Sequence, residues 1–454
     1  MEKKNLSMQI VNPRAAGIDV GSRMHMVAVD QQVENVREFG VYTSEHDKMI
    51  CYFKECGITT VAMESTGSYW QTLFNALQKA GFEVLLVNGS HVRNVKGKKT
   101  DVLDCLWIQK LHSLGLLHGS FLLNDYLQTL RTYYGHRQYL IRQASKYINK
   151  MQKTLRLMNI RLDVVINDIT GQSGRAILNA IINGERDSVR LAALANNLVK
   201  KSKEEIALSL HGHWRDDLLF ELKSCLALYD TYIEAIIVCD SKMEGVLADY
   251  TPAEAELINE ASLKKLTKRK SKYSPNFNVR HLAFAHLRTD LFEIPGMSHN
   301  TVLCILSNLG NDIKKFKTAK QFASWLRLVP NNKVSGGRVI SSRTPKGKSV
   351  VAISLRQAAN SIGNQKAHPL TPFFKRIAYR KGRVAAITAT ARKLAIVIWN
   401  MITKGEHYKE YNYEEINEKK KASQLKAMEN RLIKLKLDDT SIKSLFQKLS
   451  LSTG

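Results

Sequence analysis

Proline is nearly absent from the first half of this chain. Of eight prolines, only Pro13 precedes Pro252. Nothing between them fixes φ or removes an amide by ring constraint, so long unbroken helices are allowed there. Cysteine is sparse and scattered. Cys51, Cys56, Cys105, Cys225, Cys239 and Cys304 form no Cys-x-x-Cys and meet no paired His at ligand spacing, which argues against a zinc site. Disulfides are not expected in a reducing compartment. His211 and His213 flank Gly212 in LHGHW and read as a loop feature. No apolar run approaches the ~20 residues that a spanning helix needs. The opening MEKKNLSMQIVNPR lacks the continuous apolar core of a signal peptide. No Gly-x-x-x-x-Gly-Lys-Ser/Thr loop is present, so a Walker-type NTPase has no support. Acid is short as well. With 41 Asp and Glu against 68 Lys and Arg, the formal charge is +27 and the pI about 9.7. That balance implies a polyanionic partner and a cytoplasmic, nucleoid-associated protein, with no membrane role. The 454 residues suffice for two or three domains.

Four of the few acids fall in informative places. Ala15 to Val20 and Met24 to Val29 are short apolar runs broken at Gly21, which predicts a strand pair carrying Asp19 in GIDVGS. TTVAM, residues 59–63, predicts a strand ending at Glu64. Apolar residues recur at helical spacing between Tyr69 and Gly81, and FEVLLV predicts another buried strand closed by Asn88 and Gly89. Asp101 then opens DVLDCLWIQKLHSLG, a helical stretch in which Asp101 and Asp104, three apart, share a face. A single Asp at a strand end ordinarily caps a turn. Strand acid, strand acid and helix pair in a β-β-β-α-β-α-β-α order is how a ribonuclease-H-like sheet gathers carboxylates around divalent cations. Hard oxygen donors suit Mg²⁺ or Mn²⁺, and two such ions can activate an attacking oxygen and stabilise a leaving one in phosphodiester chemistry. A strand followed by Asp-x-Gly-Ser also opens the phosphate loops of actin-like ATPases, but those repeat the motif in a second half and this chain does not.

Further along, Leu127 to Leu162 contains one glycine, Gly135, and many Arg, Lys, Gln and Tyr residues. A long basic helix is expected, able to lie along phosphates or to pair with another helix. Residues Ile169 to Tyr250 continue helical, with Gly171, Gly174, Gly184 and Gly212 as expected turns. KKLTKRKSK, Lys264 to Lys272, reads as a basic linker, and a domain boundary is expected near residues 265–280. IPGMSHNTVLCILSNLG, Ile294 to Gly310, resembles a helix-hairpin-helix element whose amides can receive a backbone phosphate. In LVPNNKVSGGRVISSRTPKGKS, Gly336 and Gly337 would let a backbone approach Ser335, and Arg338, Arg343, Lys346 and Lys348 could neutralise phosphate oxygens. Ser335 is placed like a nucleophile for phosphate. A bare Ser-Gly-Gly is usually a turn, and Ser341 and Ser342 compete for the role. Val350 to Ile362 and Phe373 to Ile402 read as helical. Leu425, Met428, Leu432 and Leu435 follow a short heptad in a Lys-rich tail.

GIDVGS, VAMESTG and KTDVLD, with IPGMSHNTVLCILSNLG, RLVPNNKVSGG and RTPKGKS, resemble the DEDD transposases of bacterial insertion sequences, the recombinases guided by a bridge or seek RNA. The resemblance covers roughly residues 14–118 and 290–403. It implies that Asp19, Glu64, Asp101 and Asp104 are metal ligands in a RuvC-like fold and that Ser335 attacks a DNA strand to hold it as a phosphoserine ester. It also implies donor and target DNA, an element-encoded guide RNA, and a homodimer or homotetramer in which acids and serine come from different protomers. One departure is Cys105, where the family usually has Ala.

The expected architecture is α/β plus all-α. It comprises a RuvC-like domain (1–125), a helical, coiled-coil middle with a basic linker (126–275), a C-terminal transposase domain holding the serine loop (276–403) and a Lys-rich helical tail (404–454). The expected activity is RNA-guided excision and insertion of an insertion sequence. The alternatives are a Holliday-junction-type or ribonuclease-H-like nuclease that uses the acids alone, and a non-catalytic basic scaffold for RNA or DNA.

Overall fold

The structure is a computed structural model that describes residues 9–89, 100–250, 271–345, 347, 349–366, 368–409 and 413–434. It divides into two compact units between Leu122 and Leu123.

Among the described residues, the first unit contains the strands and α-helices β1 (Ala15–Val20), β2 (Met24–Ala28), β3 (Arg37–Gly40), α1 (Thr43–Glu55), β4 (Thr60–Glu64), α2 (Trp70–Lys79), β5 (Glu83–Val87) and α3 (Asp101–Ser113). The strand order is β3-β2-β1-β4-β5, antiparallel through the first three and parallel from β1 through β4 to β5. This is a ribonuclease-H-like mixed sheet flanked by helices, as the sequence implies. Strand alternation sorts the side chains. Ala16, Ile18, Val20, Val61 and Met63 enter a core with Met49 and Phe53 of α1 and Leu73 and Leu77 of α2.

The opposite face lies under α3. Here the strand and helix backbones touch, because a Cβ added to Gly17 would stand 2.3 Å from the Gln109 amide nitrogen and 2.6 Å from the Cys105 carbonyl oxygen. Gln109 Nε2 donates to the Ala15 carbonyl at 3.1 Å, and His112 Nε2 meets Thr60 Oγ1 at 2.9 Å. Burial keeps the His112 pKa below its ordinary value, so the ring joins this contact as the neutral form. From Asp101 to Ser113 the helix therefore runs against the direction of β1. Its first turn reaches the C-terminal ends of β1 and β4.

In the second unit, α4 (Asp125–Leu157) is followed by α5 (Leu162–Val165), α6 (Gln172–Ile182), α7 (Ser188–Ala193), α8 (Lys203–Ser209) and α9 (Asp216–Asp249). Helices α4 and α9 pair antiparallel: Thr154 meets Glu221, Tyr147 stacks on Tyr232, and Arg137 meets Asp240. Arg137 is fully buried, with Nη2 donating to Asp240 Oδ2 at 3.3 Å and to the Tyr273 carbonyl at 3.0 Å. Helix pairing is thus one use of the long basic helix. The expected turn at Gly174 is a correction: it lies inside α6, where a Cβ would stand 2.5 Å from the Ile169 carbonyl oxygen, so close packing explains this glycine. Gly171 precedes that helix, and Gly184 and Gly212 lie in turns or loops. Of the basic linker, only Ser271 and Lys272 are among the described residues, and Lys272 binds Asp168.

The chain continues through α10 (Val279–Leu287), α11 (His299–Asn308), α12 (Ala319–Trp325), a hairpin of β6 (Lys333–Ser335) and β7 (Arg338–Ser341), α13 (Val350–Asn364), α14 (Thr371–Lys381), α15 (Arg383–Lys404) and α16 (Tyr413–Lys434). Helix α15 corrects the reading that no apolar segment reaches spanning length, since it is long and apolar enough to do so. Its Ala386, Ala391, Leu394, Ala395 and Ile398 are buried, and it packs on α12, α13 and α14, which accounts for the apolarity as core. Leu425 and Met428 lie exposed on α16; Leu435 and the Leu432 side chain lie outside the described residues.

Two outcomes are expected. Gly17→Ala forces α3 off β1 and costs roughly 1–3 kcal/mol or more in urea unfolding. The second concerns His25, which is buried beside His46 with ring centroids 5.6 Å apart and no hydrogen-bond partner on either nitrogen among the described residues. Burial first, and the neighbouring imidazole second, push its pKa from the ordinary 6.5 to about 4. A depressed histidine favours folding fully above its unfolded pKa, and that stability is lost as pH falls through the window down to the folded value. Wild type should be roughly 2–3 kcal/mol less stable at pH 4.5 than at pH 7.5 on this account. In His25→Leu the gap between urea midpoints should narrow by that amount; an unchanged gap would refute it.

Candidate functional site

Asp19 and Glu64 are set side by side by strand register. Ile18 pairs with Met63 in the parallel ladder, so the next residues along, Asp19 and Glu64, are lateral neighbours at the end of it. Ile18 and Met63 point into the core with α1 and α2. The two acids therefore project to the side that α3 covers, and both are half-buried.

The first turn of α3 supplies Asp101 and Asp104. Thr100 caps this helix by accepting from the Leu103 amide, and acids in the first turn are favoured by the free amides and dipole of the helix start. Asp104 is half-buried and Asp101 exposed. Cys105, one residue on, reports the closeness of these groups. Burial pushes its thiol up to about 12, and the charges of Asp19 and Asp104 add to the effect. The raised value favours the protonated thiol, whose Sγ donates to the Val102 carbonyl at 3.1 Å.

Asp19 and Glu64 thus lie at the ends of neighbouring strands, and the helix turn that carries Asp101 and Asp104 starts near those strand ends. Among the described residues, no three carboxylate, imidazole or thiol groups are close enough together to hold an ion. The donor set itself, four carboxylates without sulfur or imidazole, fits Mg²⁺ or Mn²⁺.

Gly89 is a part of this site that sequence reasoning treated only as the close of a strand. A Cβ there would stand 2.0 Å from Glu64 Oε1. The missing side chain makes the space in which the Glu64 carboxylate lies. A glycine two residues past the end of a strand that neighbours an acid-bearing strand was the available signal.

Ser335, in the second unit, sits at the tip of the β6–β7 hairpin, in the pair Ser335↔Arg338 that closes the turn. Gly336 and Gly337 have φ of +54° and +74°, the left-handed pair that a two-residue hairpin turn demands. Open space surrounds both glycines. In the isolated chain their role is therefore the turn, and the close backbone approach expected of them has no partner among the described residues. Ser335, Arg338, Ser342 and Arg343 are exposed. The Ser341 hydroxyl accepts from the Arg343 amide at 3.4 Å, whereas no hydrogen bond to the Ser335 hydroxyl is made among the described residues. Val334 and Val339, each 59% exposed, and Ile340, 70% exposed, leave an apolar surface on the hairpin. Lys346 and Lys348 lie outside the described residues.

The helix-hairpin-helix resemblance has a physical counterpart at Ile294 to Gly310. Gly296 turns the chain at φ +90°, and Ser298 caps α11 by accepting from the Thr301 amide at 3.1 Å. Beside it opens a cavity of about 780 Å³ lined by Arg131, Arg142, Ser298, Asn300 and Gln357 among others.

Comparison with known proteins adds the following. Residues 16–160 match a family model described as a transposase of the DEDD, IS110 type. Residues 288–371 match the transposase IS116/IS110/IS902 family. Together the two matches cover about half of the chain. The transposase for insertion sequence element IS1111A of Coxiella burnetii is 28% identical over 121 residues, 26% of this chain and 33% of that protein. The y4pF/y4sB protein of Sinorhizobium fredii is 25% identical over 125 residues, 26% of this chain and 32% of its own length. The chain therefore spans about a third of the length of these relatives.

The geometry around Gly89 sets an expected outcome. In Gly89→Ala the added methyl displaces the Glu64 carboxylate, so Mn²⁺ affinity measured by calorimetry should fall by about tenfold or more, the scale for groups that orient a ligand. The thermal melt should move little, since the atoms nearest the added methyl all belong to the half-buried Glu64 side chain; equal affinity in the two proteins would contradict this reading of the site.

Proposed function

This chain belongs to the IS110 family of transposases, and on that premise we propose that it excises and inserts an insertion sequence by cleaving and rejoining DNA strands. The observation that carries the proposal is that the first turn of α3 starts near the strand ends that bear Asp19 and Glu64, in a chain that also presents Ser335 on an exposed, glycine-turned tip.

Asp19, Glu64, Asp101 and Asp104 would hold Mg²⁺ or Mn²⁺, which supplies charge stabilisation at a backbone phosphate. Ser335 Oγ is the attacking atom. As it bonds to phosphorus, one P–O bond of the strand breaks, the departing oxygen gains a proton, and the serine proton is released to solvent. The phosphoserine ester conserves the energy of the broken bond, so attack by a second strand's hydroxyl rejoins DNA without ATP. Arg338 and Arg343, on or just beyond the hairpin, neutralise the phosphate oxygens near the nucleophile, with Gly336 and Gly337 shaping its turn.

Acids and serine come from different protomers of a dimer or tetramer in this proposal. Segments 1–125 and 276–403 supply the two halves of the chemistry, 126–275 assembly and RNA contacts, and 404–454 a further helix for partners. Sequence choice rests on an element-encoded guide RNA, and the formal charge of +27 suits holding both RNA and DNA backbones. The protein acts in the cytoplasm, at the nucleoid.

The test is trapping. Full-length protein, co-expressed flanking RNA and labelled donor and target DNA are incubated with Mg²⁺ and denatured in SDS. A DNA adduct mapping to Ser335 is expected, absent in Ser335→Ala and reduced at least about a hundredfold in Asp19→Asn, the scale of losing several kcal/mol of transition-state stabilisation. Cleavage retained in Ser335→Ala with no adduct would replace serine chemistry by a nuclease that uses the acids alone. Unchanged DNA after both substitutions would leave only a binding scaffold.

A further inference from the structure

The positive charge of this chain is unevenly spread. The 93 residues from Ile313 to Gly405 contain no Asp or Glu and 20 Lys or Arg. Elsewhere cations are answered inside the protein: Lys150 by Glu221, Arg175 by Asp230, Lys272 by Asp168, Arg280 by Asp290. Within this stretch Lys315, at its start, is answered by Asp312 just outside it, but from Phe316 to Gly405 no residue is an acid, which leaves a surplus of positive charge for an external polyanion.

The charge is densest where α14 meets α15. Lys375, Arg376, Arg380, Lys381 and Arg383 fall within nine residues and all are exposed. None forms an ion pair among the described residues. Arg376 and Arg380, four apart on one helix, repel each other, an arrangement that weakens a free helix and is relieved when an anion lies between them. Gly382, at φ +83°, breaks the helix and makes the corner. Two of the cations have structural duties. Arg383 Nη2 donates to the Asn360 and Asn364 side chains, each at 2.7 Å, tying the corner to α13, and Arg376 lies over the Phe373 ring at 5.7 Å. Lys375, Arg380 and Lys381 have none among the described residues.

Among these cations stands Tyr379, 95% exposed. An aromatic ring left almost wholly in water, one helical turn from Lys375 and Arg376, offers a π-face framed by positive charge. A duplex hides its base faces in its own stack, whereas an unpaired base presents one. Resting on the nucleic-acid reading above, we infer that the α14–α15 corner is a landing platform for single-stranded nucleic acid, with Lys375, Arg380 and Lys381 on the phosphates and an unpaired base stacked on Tyr379.

The experiment measures fluorescence anisotropy of full-length protein with labelled oligo-dT, oligo-U and a DNA duplex of equal length over a series of salt concentrations. Tyr379→Ala should weaken single-strand binding by about five- to a hundredfold, with duplex binding unchanged and Tyr379→Phe equal to wild type. The triple variant Lys375→Gln, Arg380→Gln, Lys381→Gln should lower the slope of log affinity against log salt by about 2 for single strands, from ~0.7 per phosphate contact. Oligo-dT against oligo-U tells a DNA strand from an RNA strand as the natural occupant. All substituted side chains are exposed, so circular dichroism melts should coincide with wild type. Single-strand binding unchanged in Tyr379→Ala, or single strand and duplex weakened equally, overturns the platform. So does a change of oligomeric state in Tyr379→Ala by light scattering, which would make the corner a contact between copies of this chain. Failure of the wild-type protein to bind any of the three probes would instead overturn the nucleic-acid reading itself.

Discussion

The contact between Gly17 and α3 is the constraint on which the first unit's site depends. Two acids belong to strands and two to a helix, and the depth at which that helix seats brings its first turn near the strand ends. With no side chain at Gly17, the backbones of β1 and α3 touch, Gln109 reaches the Ala15 carbonyl, and the Asp101–Asp104 turn stops beside Asp19. A larger residue would raise the helix and carry the Asp101–Asp104 turn away from the strand that bears Asp19. Positioning of charge here follows from the packing of uncharged backbone.

A second constraint operates in the other unit. Arg137 and Asp240 are buried together between two long helices, and each also binds the backbone of residues 273–276, Arg137 to the Tyr273 carbonyl and Asp240 to the Asn276 amide. Removing water from such a pair costs about as much as their attraction returns, so its value lies less in net stability than in register. It fixes which turn of α4 meets which turn of α9. Charges in this region are arranged to satisfy one another, in contrast to the acid-free C-terminal stretch.

Much of this was legible in the sequence because it depends on local pattern. Short apolar runs located β1, β4 and β5, and three-residue spacing put Asp101 and Asp104 on one helix face. Scarcity of proline and glycine announced α4, and the Pro295-Gly296 turn announced the helix after it. The features that escaped depend on partners distant in the chain. Gly89 serves Glu64, Arg137 serves Asp240, and Gly174 makes room for the backbone at Ile169 from inside a helix that was expected to break there. Helix α15 has the composition of a membrane span, and only its packing against α12, α13 and α14 identifies it as core. Charge also misled by its average, since a net +27 does not say that one stretch carries its cations without a single acid.

The β6–β7 hairpin has a consequence for timing. A ribbon of two short strands is marginally stable by itself in water, and this one has its apolar residues turned outward. On the proposed reading, Ser335 is therefore carried by an element whose rigidity is supplied by whatever it settles against. Assembly then acts as a safety catch, because a lone protomer lacks a firmly held nucleophile and leaves the genome around it uncut.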